Sequence, residues 1–241
     1  MPLNTSYLEP FFQENDDFIT ITPEQASTFA KEVARDFNPL HNPDAKRFLV
    51  PGDLLFALVL ARNGLSQEMT FNYTGMVGNG VLLKFPKRPT ETFDIVDNQG
   101  KQYLEVNRNG DNSTDMQLIE AFTRAYVAFS GHSFPHILVP LMKEHQVMIN
   151  PDRPMVIYES MSFKLDRLDI QSPTLELIDS SLEVQGKRGT VRLQFQVLEN
   201  GEPVGNGYKT LVLSGLREYD EAKVQGLVDD YELIKADYKA S

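Results

Sequence analysis

The chain has 241 residues, of which 41% are hydrophobic and 24% are charged. These values allow a substantial core, in one large domain or in two fused small ones. The formal net charge of −11 argues against nucleic acid as a partner, because phosphates require a basic surface. The chain has no cysteine, which excludes disulfides and thiolate metal sites.

The sequence shows no targeting or membrane-spanning segment, which predicts a cytoplasmic protein. Residues 1–5 show neither a basic segment nor an apolar one, so we expect no signal peptide. The longest apolar run, Leu54 to Ala61, is too short to span a bilayer, so we expect no membrane association.

In the first half, Phe18 to Ile21 alternates like a short strand. Thr22-Pro23-Glu24-Gln25 is typical of a helix start, and that helix is predicted to run to about Arg35. A second helix, Leu54 to about Asn63, has no polar face and is therefore predicted to be buried. The predicted strands that follow are Met69–Phe85, Thr92–Asp97, Gln102–Asn107 and Leu118–Phe129.

The second half repeats this order of elements. An apolar helix is predicted from Phe134 to about His145, and an acidic amphipathic helix from Glu218 to Tyr238 is predicted to brace the surface. The strands predicted between them are Met155–Leu165, Thr174–Gln185, Thr190–Leu198 and Val204–Leu213. The chain is therefore interpreted as two related α+β halves joined near residues 130–132.

The strongest chemical pattern is Asp36-Phe37-Asn38-Pro39-Leu40-His41, shortly before Gly52 opens the apolar helix. Pro39 must break the preceding helix, so a carboxylate and an imidazole are predicted to lie on the two arms of a tight turn. Such a pair beside a helix N-terminus can hold a water and polarise a carbonyl group. An ordinary turn is the alternative, since Asn-Pro commonly starts one.

This run resembles the Asp-x-Asn-Pro-Leu-His signature of the MaoC-like R-specific enoyl-CoA hydratases, which have a hotdog fold, and Gly52 corresponds to the helix-opening glycine of that family. The resemblance implies an α+β double hotdog, in which each half is an antiparallel sheet around a buried helix. The expected divisions are residues 1–131, a degenerate half 132–216 and a C-terminal helix 217–241. The whole sequence also resembles a bacterial family to which no function is assigned.

The resemblance also implies roles for the residues. Asp36 and His41 would bind the water that adds to, or leaves, an α,β-unsaturated thioester. The backbone N–H of Gly52 would bind the thioester oxygen, and Asn38 would hold the turn. The implied activity is that of a hydro-lyase without metal or redox cofactor, and the implied partner is an acyl-CoA or acyl-carrier thioester.

Three differences from the family keep other functions open. Arg35 replaces a glycine, Pro51 replaces a histidine, and the segment between His41 and Gly52 is shorter. These differences favour a non-catalytic protein that binds acyl-CoA or an acyl carrier. A thioesterase is a third hypothesis, against which the motif argues.

Two further groups of residues are candidates for binding. Lys84, Lys87 and Arg88 are interpreted either as contacts for coenzyme A phosphates or as a solvated edge. His132 and His136 have a spacing that suits a metal, but no third ligand is evident, so a surface or core role is favoured. A monomer and a homodimer are both compatible with two fused halves.

Overall fold

The computed structural model describes residues 7–240, with only the backbone for residues 239 and 240. Residues 1–5, where no signal peptide is expected, lie outside the described residues. The helices are α1 (Pro23–Thr28), α2 (Gly52–Asn63), α3 (Met116–Gly131), α4 (Ser133–His136), α5 (Leu138–Glu144) and α6 (Glu221–Ala240). A π-helix, Phe29–Ala34, continues α1, and 3₁₀ turns span Glu9–Phe11 and Pro39–His41.

The strands form one long antiparallel sheet and one short ribbon. They are β1 (Gln13–Asn15), β2 (Phe18–Thr20), β3 (Leu65–Tyr73), β4 (Leu83–Lys84), β5 (Thr92–Asp97), β6 (Gln102–Ser113), β7 (Val147–Met148), β8 (Val156–Leu165), β9 (Pro173–Gln185), β10 (Arg188–Glu199), β11 (Glu202–Ser214) and β12 (Arg217–Glu218). The ten-stranded sheet has the order β1-β2-β4-β5-β6-β3-β8-β11-β10-β9, while β7 pairs with β12.

The sheet order shows two similar halves that meet at its centre. Outward from the centre, the first half runs β3-β6-β5-β4 and the second runs β8-β11-β10-β9, so each half is ordered in the same way along the chain. The two central strands pair antiparallel, with Thr70 opposite Ser162. This arrangement confirms the predicted α+β double hotdog.

The core lies where the two long helices meet the sheet. Phe56 of α2 stacks on Tyr126 of α3, with ring centroids 4.4 Å apart. Fully buried rings from the sheet complete this cluster, namely Phe71, Phe163 and Phe195. Because α2 carries no polar stripe, its burial from Leu54 to Ala61 matches the prediction.

The start of the second half differs from the prediction. The strand predicted over Leu118–Phe129 is wrong, because these residues lie in α3. Leu118, Phe122 and Tyr126 recur at helical spacing, and Asp115 caps the helix by accepting a hydrogen bond from the Gln117 N–H at 2.9 Å.

The prediction of one continuous helix from Phe134 to His145 is also wrong. It is divided into α4 and α5, with non-helical backbone angles at Phe134. The long helix before β8 is therefore α3, which corresponds to α2 before β3 in the first half. The domain boundary at residue 131 stays a prediction.

The C-terminal helix is present as predicted and runs from Glu221 to Ala240. Most of its described side chains are exposed, but Val224 and Tyr231 are buried against the rest of the chain. Of the helices that the structure describes, none is both long enough and apolar enough to cross a membrane.

Candidate active site

The motif turn is positioned by the helix before it. Thr22 and Gln25 form the predicted capping box at the start of α1, and the π-helix then ends at Arg35 in the left-handed conformation, with φ of 55°. This backbone conformation favours glycine, the residue that the hydratase signature places here. After Arg35 the chain turns sharply, so that Asp36 leaves the helix axis while its N–H still bonds to the Ala30 carbonyl at 2.8 Å.

Side chains within the motif hold the turn in shape. Asp36 Oδ1 accepts a hydrogen bond from the Asn38 N–H at 2.9 Å, and Asn38 Oδ1 accepts one from the Leu40 N–H at 3.1 Å. Asn38 is thereby the N-cap of the 3₁₀ turn Pro39–His41. These local bonds satisfy backbone donors that the proline-broken helix leaves free.

The imidazole of His41 has a defined orientation. Its Nδ1 lies 2.8 Å from the Leu49 carbonyl oxygen, and since a carbonyl can only accept, Nδ1 carries the proton. In the neutral ring, Nε2 is then a proton acceptor, and it lies 3.7 Å from Asp36 Oδ2. Two atoms at this separation can share one water held at about 2.8 Å from each.

Both side chains are mostly shielded from solvent, with 12% of His41 and 23% of Asp36 exposed. Burial raises the pKa of Asp36 above its ordinary value, against the opposing effects of the His41 charge and the Asn38 N–H. A raised pKa makes the Asp36 carboxyl a better proton donor near neutral pH.

The N-terminus of α2 supplies the third part of the site. Its N-cap residue is Pro51, which offers no side-chain hydrogen bond, and the first N–H groups of a helix have no partner within the helix. Gly52 is enclosed by two tyrosines, since a Cβ there would lie 3.1 Å from ring atoms of both Tyr73 and Tyr158. The Tyr73 hydroxyl donates to the Gly52 carbonyl oxygen at 2.9 Å.

These groups face one cavity of about 620 Å³, within the usual range for small-molecule sites. Asp36, His41 and Gly52 all line it. Most of its wall is apolar and comes from both halves and from α6, including Leu55, Val77, Phe134, Ile149, Leu211 and Leu227. The cavity therefore combines a mostly apolar wall with a few polar groups.

A buried polar cluster lies behind the start of α2. Ser130 lines the cavity, and its hydroxyl donates to Asp53 Oδ1 at 2.9 Å. Lys209 of β11 is fully buried, and its Nζ donates to Ser130 Oγ and, at 2.8 Å, to the Tyr126 carbonyl oxygen. We call Asp53, Ser130 and Lys209 the buried cluster.

Burial dominates the electrostatics of this cluster. Desolvation raises the pKa of Asp53, although the Lys209 charge and hydrogen bonds from Ser130 and Tyr158 oppose it. Desolvation likewise lowers the pKa of Lys209, and Asp53 opposes that shift. A buried pair of opposite charges close to a cavity is a frequent sign of function.

The structure does not bring every predicted site residue together. Lys84, Lys87 and Arg88 do not line the cavity, and Lys87 is paired with Asp17 at 2.6 Å. Pro86, next to Lys87, accepts a hydrogen bond from Asn63, at the opposite end of α2 from Gly52. A helix of this length places the two ends roughly 16 Å apart.

His132 and His136 give no metal site. The rings of His132 and His136 are 6.4 Å apart. Within residues 7–240, no group of three or more His, Asp or Glu side chains is arranged to hold a metal ion.

Sequence reasoning missed the buried cluster and the contribution of α6. Asp53 is an acidic residue in the first turn of an otherwise apolar helix, and this was a usable signal, because a buried carboxylate requires a buried partner. Tyr231 of α6 donates to the carbonyl oxygens of Gly131 at 3.3 Å and Arg35 at 3.4 Å, which secures the helix against the motif turn. No local pattern indicated that contact.

The chain is similar to several solved structures of known proteins, at low sequence identity. The tesB protein of Mycobacterium avium subspecies paratuberculosis has a TM-score of 0.47 and 8% identity, covering 86% of this chain and 96% of that one. A conserved protein of unknown function with a hot dog fold from Alicyclobacillus acidocaldarius has a TM-score of 0.46 and 8% identity, covering 86% and 97%. A MaoC-like dehydratase has a TM-score of 0.43 and 10% identity, covering 86% and 99%.

At such TM-scores the likenesses say nothing about the reaction. No curated protein matches the sequence. Over residues 6–222 the sequence matches the family described as a protein of unknown function, DUF3581, and the chain belongs to that family.

Proposed function

We propose that this protein catalyses the R-specific hydration of a trans-2-enoyl thioester, or the reverse dehydration of a 3-hydroxyacyl thioester. The proposal depends on one observation, that Asp36, His41 and Gly52 line the same largely apolar cavity. The R specificity comes from the resemblance of the motif to the MaoC-like hydratases.

In the hydration direction, Nε2 of His41 accepts a proton from the shared water as the water oxygen bonds to the β-carbon. The electrons of the double bond move towards the thioester oxygen, where the Gly52 N–H stabilises the developing negative charge. Asp36 then donates a proton to the α-carbon. Return of the proton from Nε2 to Oδ2, atoms 3.7 Å apart, restores the starting state.

The rest of the cavity suits such a substrate. Its apolar wall can accept an acyl chain, and Asp36, His41 and Gly52 place polar groups at the motif turn and the start of α2. The Ser133 hydroxyl lines the same cavity and is buried without a hydrogen-bond partner among the described residues. A buried hydroxyl of this kind is available to a polar group of the ligand.

The test is the loss of enoyl absorbance with crotonyl-CoA and with longer trans-2-enoyl-CoA substrates. Asp36→Asn is expected to lower kcat about 10²- to 10⁴-fold, the usual contribution of an acid–base group. Asp44→Asn is the matched control, because Asp44 is exposed in the next loop and does not line the cavity. Absence of turnover by folded wild-type protein at every chain length would refute the hydratase proposal, and binding without turnover would favour the acyl-binding alternative.

The buried cluster favours a second candidate function, that of an acyl thioesterase. Ser130 lies at the cavity with its hydroxyl between Asp53 Oδ1 and Lys209 Nζ. In that reaction Asp53 would take the hydroxyl proton while Ser130 Oγ attacks the thioester carbon. As the C–S bond breaks and the acyl-serine forms, Asp53 would pass this proton to the sulfur, which leaves as free thiol. Water would then release the acid and restore Ser130.

Release of free thiol from saturated acyl-CoA separates the two functions. Thiol release that disappears in Ser130→Ala would support the thioesterase, provided that the wild type causes no loss of enoyl absorbance with trans-2-enoyl-CoA. Hydration that persists in Ser130→Ala and disappears in Asp36→Asn would support the hydratase.

A further inference from the structure

A second concave surface adjoins the cavity on the side of the C-terminal helix. It has a volume of about 520 Å³ and lies between the π-helix, the end of α3, α4 and α6. Its basic side chains are Lys31, Arg35, His132, His136 and Lys235, and we call this surface the basic cleft. For His132 and His136 the sequence favours only a surface or core role.

The basic cleft contrasts with the acidic character of the chain, which has a formal net charge of −11. Glu32 is the acidic side chain in its wall, and Glu232 lies 3.3 Å from Lys235. In the part of the chain that the structure describes, no carboxylate lies within ion-pair distance of Lys31 or Arg35. The cleft therefore gathers more positive charge than its own acids neutralise.

These positive groups oppose one another. Burial lowers the pKa of His132, and the charges of His136, Arg35 and Lys235 lower it further. A bound anion would relieve this repulsion, and phosphate suits a site with several separate cations and imidazoles.

Aromatic rings lie between the basic cleft and the cavity. Phe37, Phe134 and Tyr231 line both spaces, and the Tyr231 ring packs edge-on against Phe134 at 5.2 Å and against Phe37 at 5.8 Å. A ligand with an apolar chain in the cavity and phosphates in the cleft would have to run past these rings.

We propose that the basic cleft binds the phosphates at the nucleotide end of coenzyme A, while the acyl chain occupies the cavity. This inference rests on the proposed action on acyl thioesters. Free coenzyme A is favoured over an acyl-carrier protein, because an acidic carrier would be repelled by a chain of net charge −11. The site uses Tyr231 and Lys235 of α6, which lies outside the two hotdog halves.

The experiment compares two saturated thioesters that cannot be hydrated, namely octanoyl-CoA and S-octanoyl-N-acetylcysteamine, by titration calorimetry. The second probe carries the same acyl chain without phosphates. We expect the double variant Lys31→Gln/Lys235→Gln to bind octanoyl-CoA at least about tenfold more weakly, because each lost cation removes a charge-assisted contact. Binding of the phosphate-free probe should be unchanged.

The matched control is Lys164→Gln/Lys187→Gln, which removes the same charge at two exposed lysines that line neither the cavity nor the cleft, and should leave both affinities unchanged. The proposal is overturned if the cleft variant binds octanoyl-CoA like the wild type, if both probes weaken equally, or if the control weakens binding as much. It is also overturned if a phosphopantetheinylated carrier protein binds in a manner that depends on the cleft while octanoyl-CoA does not bind. None of these measurements requires turnover, so failure of the hydratase assay leaves the result interpretable.

Discussion

Gly131 offers a sharp test of how the motif turn is held in place. It is the last residue of α3 and packs against the backbone of the segment before Asp36. A Cβ at Gly131 would lie 1.9 Å from the Ala34 carbonyl oxygen and 2.8 Å from the Arg35 carbonyl carbon and oxygen. Since Cβ atoms do not approach other heavy atoms closer than 3.0 Å, the segment would have to move by about 1 Å.

Gly131→Ala is therefore expected to impair both stability and turnover. Overpacking against the backbone of Ala34 and Arg35 should lower the free energy of unfolding by about 1–3 kcal/mol, measured by urea denaturation. A displacement of about 1 Å at Asp36 should lower the rate of enoyl-CoA hydration about 10²-fold. The stability effect does not depend on the proposed reaction.

Gly226→Ala is the control for Gly131→Ala. Gly226 lies in α6, and a Cβ there would meet no atom within 4 Å. Alanine is also a better helix former than glycine by up to about 1 kcal/mol, so this variant should be as stable as the wild type or more stable, with unchanged turnover. Wild-type stability and turnover in Gly131→Ala would refute the reasoning.

Three further predictions concern buried polar groups. Lys209→Met leaves the Asp53 carboxylate buried without its cation and should lower the free energy of unfolding, measured by urea denaturation, by about 3–5 kcal/mol. Adding Asp53→Asn should restore much of this loss in the double variant, and additive losses would contradict the pairing. Asn38→Ala removes the acceptor for the Leu40 N–H and should cost about 1 kcal/mol in thermal unfolding, while Asn38→Asp retains it; equal stabilities would argue against the cap. Because burial raises the pKa of Asp36 above 3.8, its contribution to stability is present below that pH and is lost as the pH rises through the raised value. The free energy of unfolding of the wild type relative to Asp36→Asn should thus fall as the pH rises from about 4 through the raised pKa of Asp36, and a constant difference would count against it.

The parts of the fold that the sequence predicted correctly depend on local signals. The capping box at Thr22 and the apolar run of α2 each act within a few residues, and each lies where it was predicted. The strand predicted over α3 failed because that prediction depends on the many apolar residues of the segment, whereas the helical spacing of Leu118, Phe122 and Tyr126 and the cap at Asp115 both indicate a helix.

The candidate site likewise contains residues that a short motif places together and residues that meet only in the folded chain. Asp36, Asn38 and His41 lie within one turn, so a short motif places them together. Ser130 and Lys209 are 79 positions apart and meet only because β11 packs beneath α3. The basic cleft likewise joins residues from both ends of the chain, which no local pattern can show.

The central pairing of β3 with β8 has a consequence for how the two halves can diverge. When two identical hotdog subunits form a dimer, every substitution occurs twice, so a buried cation would bring a second copy with it. Here Asp53 belongs to the first half and Lys209 to the second, and within residues 7–240 the cluster that they form occurs once. Covalent fusion has removed the symmetry constraint, which leaves one half free to carry the motif while the other supplies a different set of side chains to the same cavity.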